Sequence, residues 1–321
     1  MSPLAATKTL PRMENLMFGF SVPVVKAEVF SAMPAHFRKR GVVTPWVTAN
    51  SGGADIHSFL EGPSFDRAGN LYVTDIPFGR IFRISPAGEW TLVTEYDGEP
   101  NGLKIHKDGR IFITDYRNGI MVLDPASGRV DSFLGRRHSE SFKGVNDLFF
   151  ASNGDLYFTD QGQTGLHDPT GRVYRLSASG QLDCLIDTVP SPNGLVMNPE
   201  ENVLYIAVTR GNCIWRGPLM KDGSLTKVGV FYQLYGPSGP DGLAMDVEGN
   251  VAVVHARSGN VWLFSKKGVP LLRVETCAGD INTNIAYGGV DNRVIYITES
   301  ETGTVMRARL PVAGRAMYSH Q

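Results

Sequence analysis

The fold of this chain can be predicted from one stretch of fifteen residues, NDLFFASNGDLYFTD at positions 146–160. A polar residue opens an apolar segment, a turn around Gly154 follows eight residues later, and a second strand-like run ends at Asp160. Gly, Asn and Asp between two apolar runs are typical of a β-hairpin.

The same unit occurs six times at nearly even intervals. Its opening residues follow one another at spacings of 40, 45, 47, 48 and 43 residues; they are Glu61, Asn101, Asn146, Asn193, Asp241 and Asn284. A period of this length, made of strand-like segments, is typical of propeller blades. A third strand-like run usually follows each hairpin and a fourth follows in several repeats, as in a propeller blade. The sequence therefore predicts an all-β, six-bladed β-propeller with four-stranded antiparallel blades.

The sixth repeat ends near Leu310, before a fourth strand. We expect an N-terminal strand, with Pro45–Thr48 as the candidate, to close the last blade and cover its open edge. Residues 26–40 combine Ala, Phe, Met and basic residues at partly helical spacing, which predicts a short helix outside the ring. The predicted organisation is an N-terminal extension (1–44), a propeller (45–313) and a tail (314–321). Residues 1–14 and the tail are expected to be loose ends.

Composition limits the functions to be considered. The chain has 321 residues, of which 42% are hydrophobic and 20% charged, and its net charge is −1. This balance does not favour a nucleic-acid partner or an anionic membrane surface. A closed ring is one structural unit, so the length does not imply two domains.

Features of the sequence also bear on the compartment. The three cysteines are scattered and lack metal-ligand spacing, so free thiols are expected. No apolar stretch reaches the ~18 residues of a membrane span. The apolar segment Leu16–Val25 weakly resembles a signal peptide, but Pro23 interrupts it and no small-residue cleavage site follows. We expect a cytoplasmic protein, and the sequence leaves its oligomeric state open.

Radial symmetry would gather the six opening residues around one mouth of the propeller axis. The residues that end the second strand of each hairpin would lie beside them: Asp75, Asp115, Asp160, Val208, His255 and Glu299. Acids at strand ends often hydrogen-bond only local backbone, and this structural role is our interpretation of Asp75, Asp115 and Asp160. His255 is either structural or a proton carrier or substrate contact.

Carboxylates and amides in a narrow channel are costly without a partner. A hard cation fits, because Ca²⁺ accepts six to eight oxygens from such groups. Glu61 and Asp241 would balance its charge, and Asn146 and Asn193 would add neutral oxygens. The absence of Cys and His from this set argues against a tetrahedral zinc site. The prediction is one divalent cation, Ca²⁺ before Zn²⁺, Mn²⁺ or Mg²⁺.

From Ser58 to Leu310 the chain resembles the SMP-30/gluconolactonase/LRE family, six-bladed propellers with a divalent cation in the central channel. The resemblance rests on five motifs in order and at blade spacing: Leu60-Glu61-Gly62-Pro63, Val145-Asn146-Asp147-Leu148, Pro192-Asn193-Gly194-Leu195, Pro240-Asp241-Gly242-Leu243-Ala244 and Thr283-Asn284. It implies a lactonase that acts on a small lactone or related ester.

The resemblance also implies roles for single residues. Glu61, Asn193 and Asp241 would be metal ligands, and Asn146 would contact the metal or the substrate. Asp241 would also exchange a proton beside the cation that polarises the lactone carbonyl. The remaining predicted substrate contacts are Asn101, Asn284 and His255.

One departure from the family pattern concerns the substrate. Family members that act on sugar lactones tend to carry a basic residue two positions before the third opening residue, where this chain has Gly144. Recognition of sugar acids is therefore not favoured. The segments 161–168 and 232–239 are expected to rim the mouth. Their apolar side chains favour a less polar substrate.

Other functions stay open at this point. The same metal site could serve phosphotriesterase-like hydrolysis or a lactone-related cyclisation. A propeller that only binds another protein, with a structural cation, is a third possibility because the fold hosts many functions. The sequence contains no Gly-x-Ser-x-Gly motif for a serine nucleophile.

Overall fold

The computed structural model describes residues 22–236 and 238–321. Six sheets surround one axis, and the first strand of each sheet packs against the first strands of both neighbours, the last against the first included. Each blade contains four antiparallel strands, which confirms the predicted six-bladed propeller. The expectations for residues 1–14 and for the start of the apolar segment at Leu16 lie outside the described residues.

The first three blades follow one another along the chain. Blade 1 contains β3 (Leu60–Phe65), β4 (Leu71–Asp75), β5 (Arg80–Ile84) and β6 (Trp90–Glu95). Blade 2 contains β7 (Pro100–Ile105), β8 (Ile111–Asp115), β9 (Gly119–Leu123) and β10 (Val130–Leu134). A small hairpin of β11 (Arg136–Arg137) and β12 (Glu140–Ser141) precedes blade 3. Blade 3 contains β13 (Val145–Phe150), β14 (Leu156–Asp160), β15 (Gly171–Leu176) and β16 (Leu182–Val189).

The remaining blades use strands from both ends of the chain. Blade 4 contains β17 (Pro192–Met197), β18 (Val203–Val208), β19 (Cys213–Pro218) and β20 (Gly229–Gln233). Blade 5 contains β21 (Pro240–Met245), β22 (Val251–His255), β23 (Asn260–Phe264) and β24 (Pro270–Glu275), with β1 (Val24–Lys26) added in parallel. Blade 6 contains β25 (Asn282–Gly288), β26 (Val294–Glu299), β27 (Thr304–Arg309) and β2 (Glu28–Ala32).

An N-terminal strand does close the ring, but the segment predicted for it was wrong. Strand β2 pairs antiparallel with β27, whereas Pro45–Thr48 lies in the helix α1 (Pro45–Ser51). Local signals explain this helix, since the Val47 N–H donates to Thr44 Oγ1 at 3.3 Å and Pro45 occupies the first turn. Among residues 22–236 and 238–321, no helix has the length and apolar character needed to cross a membrane.

The helix predicted at residues 26–40 was also wrong. Its first half forms the end of β1 and all of β2, and only Ala35–Phe37 makes a 3₁₀ turn. Phe30 packs edge-on against Tyr296 with ring centroids 5.0 Å apart, and Ser31 Oγ accepts a 2.8 Å hydrogen bond from Trp90 Nε1. These distant partners outweigh the weak helical spacing.

The tail, expected to be loose, packs across the face opposite the opening residues. Tyr318 is buried and stacks on Phe150 at 5.3 Å, and Arg67 Nε donates to the Ser319 carbonyl at 2.6 Å. The tail borders a cavity of about 730 Å³, which the far ends of the inner strands line. The opposite, open mouth therefore carries the opening residues.

Candidate metal and active site

The first hairpin of every blade has an irregularity at its opening residue. In blade 4, Pro192 pairs with Val208, and the register shifts before Leu195 pairs with Ile206; all six blades show such a shift. A β-bulge of this kind redirects a side chain and is frequent beside active sites. The repeated sequence unit thus produces a repeated geometry that turns each opening residue out of the ladder.

Glycine after the opening residue lets neighbouring blades approach closely. A Cβ on Gly194 would lie 2.5 Å from the Asp241 carbonyl oxygen, and one on Gly242 would lie 2.0 Å from Asn284 Oδ1. Both distances are shorter than a Cβ allows. The inner strands therefore pack around the axis at a spacing that brings the opening side chains together.

Threonines at the ends of the second strands fix this arrangement from blade to blade. Thr74 Oγ1 donates to the Asn101 carbonyl at 2.6 Å, and Thr159 Oγ1 donates to the Asn193 carbonyl at 2.9 Å. Between blades 6 and 1 a threonine of the first strand makes the link instead, since Thr283 Oγ1 donates to the Leu60 carbonyl at 2.7 Å. Sequence reasoning missed this role, although the recurring Thr before each terminal acid was a signal for it.

Three carboxylates meet in the channel. Asn284 Nδ2 donates to Glu61 Oε2 at 2.8 Å and to Asp147 Oδ2 at 3.2 Å. The Asp241 carboxylate is hydrogen-bonded to the side chain of Asn193. Sequence reasoning overlooked Asp147, which stands where four other repeats have Gly after the opening residue.

These carboxylates are poorly compensated by the protein alone. Burial, followed by the charge of Asp147, raises the pKa of Glu61 to about 8. Burial and then the charges of Glu61 and Asp147 raise the pKa of Asp241 well above its ordinary value. Both shifts indicate that the protein supplies too little positive charge in the channel to balance these carboxylates.

Three amide oxygens in the same ring have no hydrogen-bond partner. Asn101, Asn146 and Asn193 are all buried, and the Oδ1 atom of each is unpaired. Buried polar atoms are normally hydrogen-bonded. Three unpaired amide oxygens at equivalent positions therefore indicate a common ligand. Amide and carboxylate oxygens are the donors that a hard divalent cation accepts. The residues present therefore fit the cation that the sequence predicts.

The fit of a divalent cation to this ring depends on the amide oxygens. Within residues 22–236 and 238–321, no group of three or more His, Cys, Asp or Glu side chains is arranged to hold a metal. The site defined by the opening residues is instead a mixed ring of carboxylate and amide oxygens, and it differs from a nitrogen- or sulfur-rich site.

Asn284 has a different position from the other amides. It is 1% exposed, its Nδ2 donates to two carboxylates, and its Oδ1 accepts the Ile285 N–H at 2.8 Å. Both ends of its amide are thus used by the protein. Asn284 bridges Glu61 and Asp147, and these contacts do not favour the predicted role as a substrate contact.

His255 lies beside the ring, at the end of β22. It is 5% exposed, and its Nε2 lies 3.2 Å from the Ser238 carbonyl oxygen. Burial lowers its pKa below the ordinary value of 6.5, with partial opposition from the Ser238 hydrogen bond. This shift favours the neutral form of the imidazole. All of its predicted roles, as a structural residue, a proton carrier or a substrate contact, remain predictions.

The aspartates that end the second strands of blades 1 to 3 hold the backbone of adjacent loops through hydrogen bonds. Asp75 Oδ1 accepts the Phe59 N–H at 2.7 Å and its Oδ2 is paired with Arg80 Nε at 2.9 Å. Asp115 Oδ2 accepts the Glu99 N–H at 2.9 Å, and Asp160 Oδ1 accepts the Gly144 N–H at 2.9 Å. These contacts agree with the structural interpretation of the three aspartates.

One loop at the mouth supports both the ring and the rim. Gln161 Oε1 accepts a 2.8 Å hydrogen bond from Asn146 Nδ2 and Gln161 Nε2 donates to Ser191 Oγ at 2.9 Å. Gln163 Nε2 donates to Tyr116 at 2.9 Å and to Asn50 of helix α1 at 3.1 Å. The expectation that residues 161–168 rim the mouth agrees with these contacts.

Fold and site together define a six-bladed propeller with an oxygen-lined axial mouth. Residues 59–301 match the sequence model of the SMP-30/Gluconolactonase/LRE-like region. The chain belongs to this family, as its motifs indicated.

The individual relatives share less than a third of their aligned residues with this chain. The lactonase drp35 of Staphylococcus epidermidis is 28% identical over 264 residues, which cover 78% of this chain and 76% of the relative. The lactonase drp35 of Staphylococcus aureus is 29% identical over 263 residues, with the same coverage.

Solved structures share the fold at lower identity. A gluconolactonase from Xanthomonas campestris has a TM-score of 0.70 at 24% identity and covers 88% of this chain and 99% of its own. A calcium-binding protein, regucalcin, from Agrobacterium tumefaciens has a TM-score of 0.74 at 21% identity and covers 93% and 99%. These likenesses concern the fold.

Proposed function

We propose that this protein is a metal-dependent lactonase that hydrolyses a small lactone at the open mouth of the propeller. The observation that carries the proposal is the ring of three unpaired amide oxygens next to the carboxylates of Glu61 and Asp241. The names of the relatives, lactonase drp35 among them, support the choice of reaction.

Glu61, Asn146, Asn193 and Asp241 would hold one divalent cation, for which Ca²⁺ is our first choice. A divalent cation bound there would polarise the lactone carbonyl and acidify a nearby water molecule. Asn101 contributes a further unpaired oxygen to the ring and is available to the cation or to the substrate. Asn284 and Gln161 keep Glu61 and Asn146 in place.

Asp241 is the proposed proton carrier. The residue is partly exposed to solvent, yet the pKa of its carboxyl group is raised by burial and by the neighbouring carboxylates. A carboxyl group in such surroundings can both accept a proton from the attacking water and return it to the leaving alkoxide. Its hydrogen bond to Asn193 orients it for these transfers.

The mouth favours a lactone that is less polar than a sugar acid. Gly144 lies against the ring of Tyr116, and a Cβ on Gly144 would meet Tyr116 Cε2 at 2.6 Å. The aromatic ring therefore occupies the space into which a basic side chain at position 144 would extend. Leu166, which is 74% exposed, adds apolar surface to the loop at the rim.

Metal analysis and a lactone screen test the proposal. Purified protein should contain about one divalent cation per chain and hydrolyse aliphatic or aromatic lactones. Glu61→Gln, Asn193→Ala and Asp241→Asn should remove activity while the circular dichroism spectrum stays that of the wild type. Asp222→Asn, in an exposed turn, is the matched control and should remain active. Activity retained in all three site variants, or an active preparation free of metal, would refute the proposal.

The alternatives give other outcomes in the same screen. Hydrolysis of aryl phosphotriesters in preference to lactones would favour a phosphotriesterase-like enzyme. Ring formation from a hydroxy acid would favour a cyclase. A bound cation without turnover of any substrate would favour an interaction propeller. The cytoplasmic location predicted from the sequence remains a prediction.

A further inference from the structure

Lys104 lies inside the ring, next to the proposed cation site. Its side chain is 12% exposed, and its Nζ lies 3.7 Å from Asp147 Oδ1 and donates to the Leu103 carbonyl at 3.1 Å. Lysine is rarely buried to this extent without a charge partner. The partner here is the carboxylate that sequence reasoning overlooked.

A continuous polar chain connects Lys104 to the opening residues. Asp147 is linked through Asn284 Nδ2 to Glu61 Oε2, with distances of 3.2 and 2.8 Å. Lys104 also acts electrostatically on Glu61 itself. The ammonium is therefore part of the charge environment of the cation site, although it faces away from the mouth and borders the apolar cavity.

The charges around the site can be compared. Glu61, Asp147 and Asp241 are the acids in the channel, and Lys104 is the cation buried with them. Arg210 also acts on Asp241, but it is exposed at the rim and solvent screens its charge. With a cation bound and all three acids ionised, three carboxylates and one ammonium leave two net negative charges.

We propose that Lys104 sets the net charge of the cation site so that the site selects divalent over trivalent ions. This inference rests on the proposed function, which supplies the cation site. Two negative charges are neutralised by a divalent ion, whereas a trivalent ion leaves an excess positive charge near a buried ammonium. In a poorly screened environment such an excess is strongly unfavourable. Without the ammonium, the site carries three negative charges and favours the trivalent ion.

Calorimetric titration with Ca²⁺ and with La³⁺, an ion of nearly the same size, tests this inference. The quantity measured is the ratio of the La³⁺ affinity to the Ca²⁺ affinity. In Lys104→Met this ratio should rise at least about tenfold over the wild type. In Lys104→Arg, which keeps the charge, and in Lys267→Met, which removes an exposed charge, it should stay within about twofold.

A charge-restoring variant separates charge from packing. Lys104→Met combined with Asp147→Asn returns the site to two negative charges and should restore the wild-type ratio. Should Lys104→Met fail to fold, Asp147→Asn alone must shift the ratio towards Ca²⁺. An unchanged ratio in Lys104→Met, or in Asp147→Asn where only that variant folds, would overturn the inference. Wild-type protein that binds neither ion would overturn the cation site as well, so the two failures can be distinguished.

Discussion

The amide of Asn146 donates a 2.8 Å hydrogen bond from Nδ2 to Gln161 Oε1, which leaves Asn146 Oδ1 without a protein partner. Gln161 is itself held by Ser191 Oγ at 2.9 Å. This pair determines which end of the Asn146 amide can face the axis. Groups that orient a metal ligand typically contribute 10- to 100-fold to metal affinity.

Gln161→Ala should therefore weaken cation binding by roughly tenfold, because the Asn146 amide becomes free to rotate. The measurement is calorimetric titration with Ca²⁺, with lactone hydrolysis as a second readout. Gln163→Ala is the matched control: the same loop loses an amide that contacts Tyr116 and Asn50 but not Asn146. Equal affinities in the two variants would exclude an orienting role for Gln161.

The fold could be predicted because the blade signal is periodic, whereas the closing strand could not. Strand β2 pairs with β27, which lies more than 270 residues further along the chain, and no local pattern reports such a partner. The stronger local signals at Thr44 and Pro45 belong to a helix. Composition alone also cannot show that Tyr318 is buried beneath blade 3.

The site was predictable to the extent that it follows the repeat. The opening residues Asn101, Asn146 and Asn193 occupy equivalent positions, and the structure gives their amide oxygens equivalent surroundings. Asp147 and Lys104 have no equivalents in the other blades, so periodicity could not identify them. Their importance depends on distances across the axis, which only coordinates provide.

Because β2 closes the ring, we expect the loss of the Phe30 side chain from this strand to destabilise the fold. This side chain packs against Tyr296 at the seam of the propeller, so Phe30→Ala should lower the free energy of unfolding by about 2–3 kcal/mol. Urea unfolding followed by fluorescence measures the change. Val29→Ala, on the same strand but 50% exposed, should change it by less than about 0.5 kcal/mol. Similar losses in both variants would contradict closure through Phe30.

The lowered pKa of His255 leads to a prediction of how the stability of the fold changes with pH. Its folded-state pKa lies below the ordinary 6.5, so the unfolded chain binds the proton more readily than the folded one. The stabilising contribution is complete above about pH 6.5 and is lost as the pH falls through the lowered pKa. Wild-type protein should therefore lose more stability than His255→Gln between pH 7 and pH 5.

Melting temperatures at saturating Ca²⁺ measure this difference, since the ring carboxylates are then held in one state. The exposed His36 supplies the control, and His36→Gln should follow the wild-type profile. Parallel profiles for the wild type and His255→Gln would contradict the lowered pKa. A large loss of lactonase activity in His255→Gln at pH 7 would assign this residue a role in substrate binding or in proton transfer.

We expect the ring of Tyr116 to determine how polar the preferred substrate is. Its ring fills the space beside Gly144, and its hydroxyl accepts a hydrogen bond from Gln163 at 2.9 Å. Tyr116→Ala should open this space to water and to hydroxyl groups. The ratio of kcat/KM for polyhydroxylated over alkyl-substituted lactones should then rise by roughly tenfold, the scale on which one pocket contact discriminates.

Tyr116→Phe separates the ring from the hydroxyl. It keeps the aromatic surface and loses only the link to Gln163, so the wild-type preference should persist even if the mouth becomes more mobile. A preference unchanged in Tyr116→Ala would show that other residues set the substrate polarity. A shift of equal size in both variants would assign the preference to the Tyr116–Gln163 hydrogen bond, because that bond is the feature both variants lose.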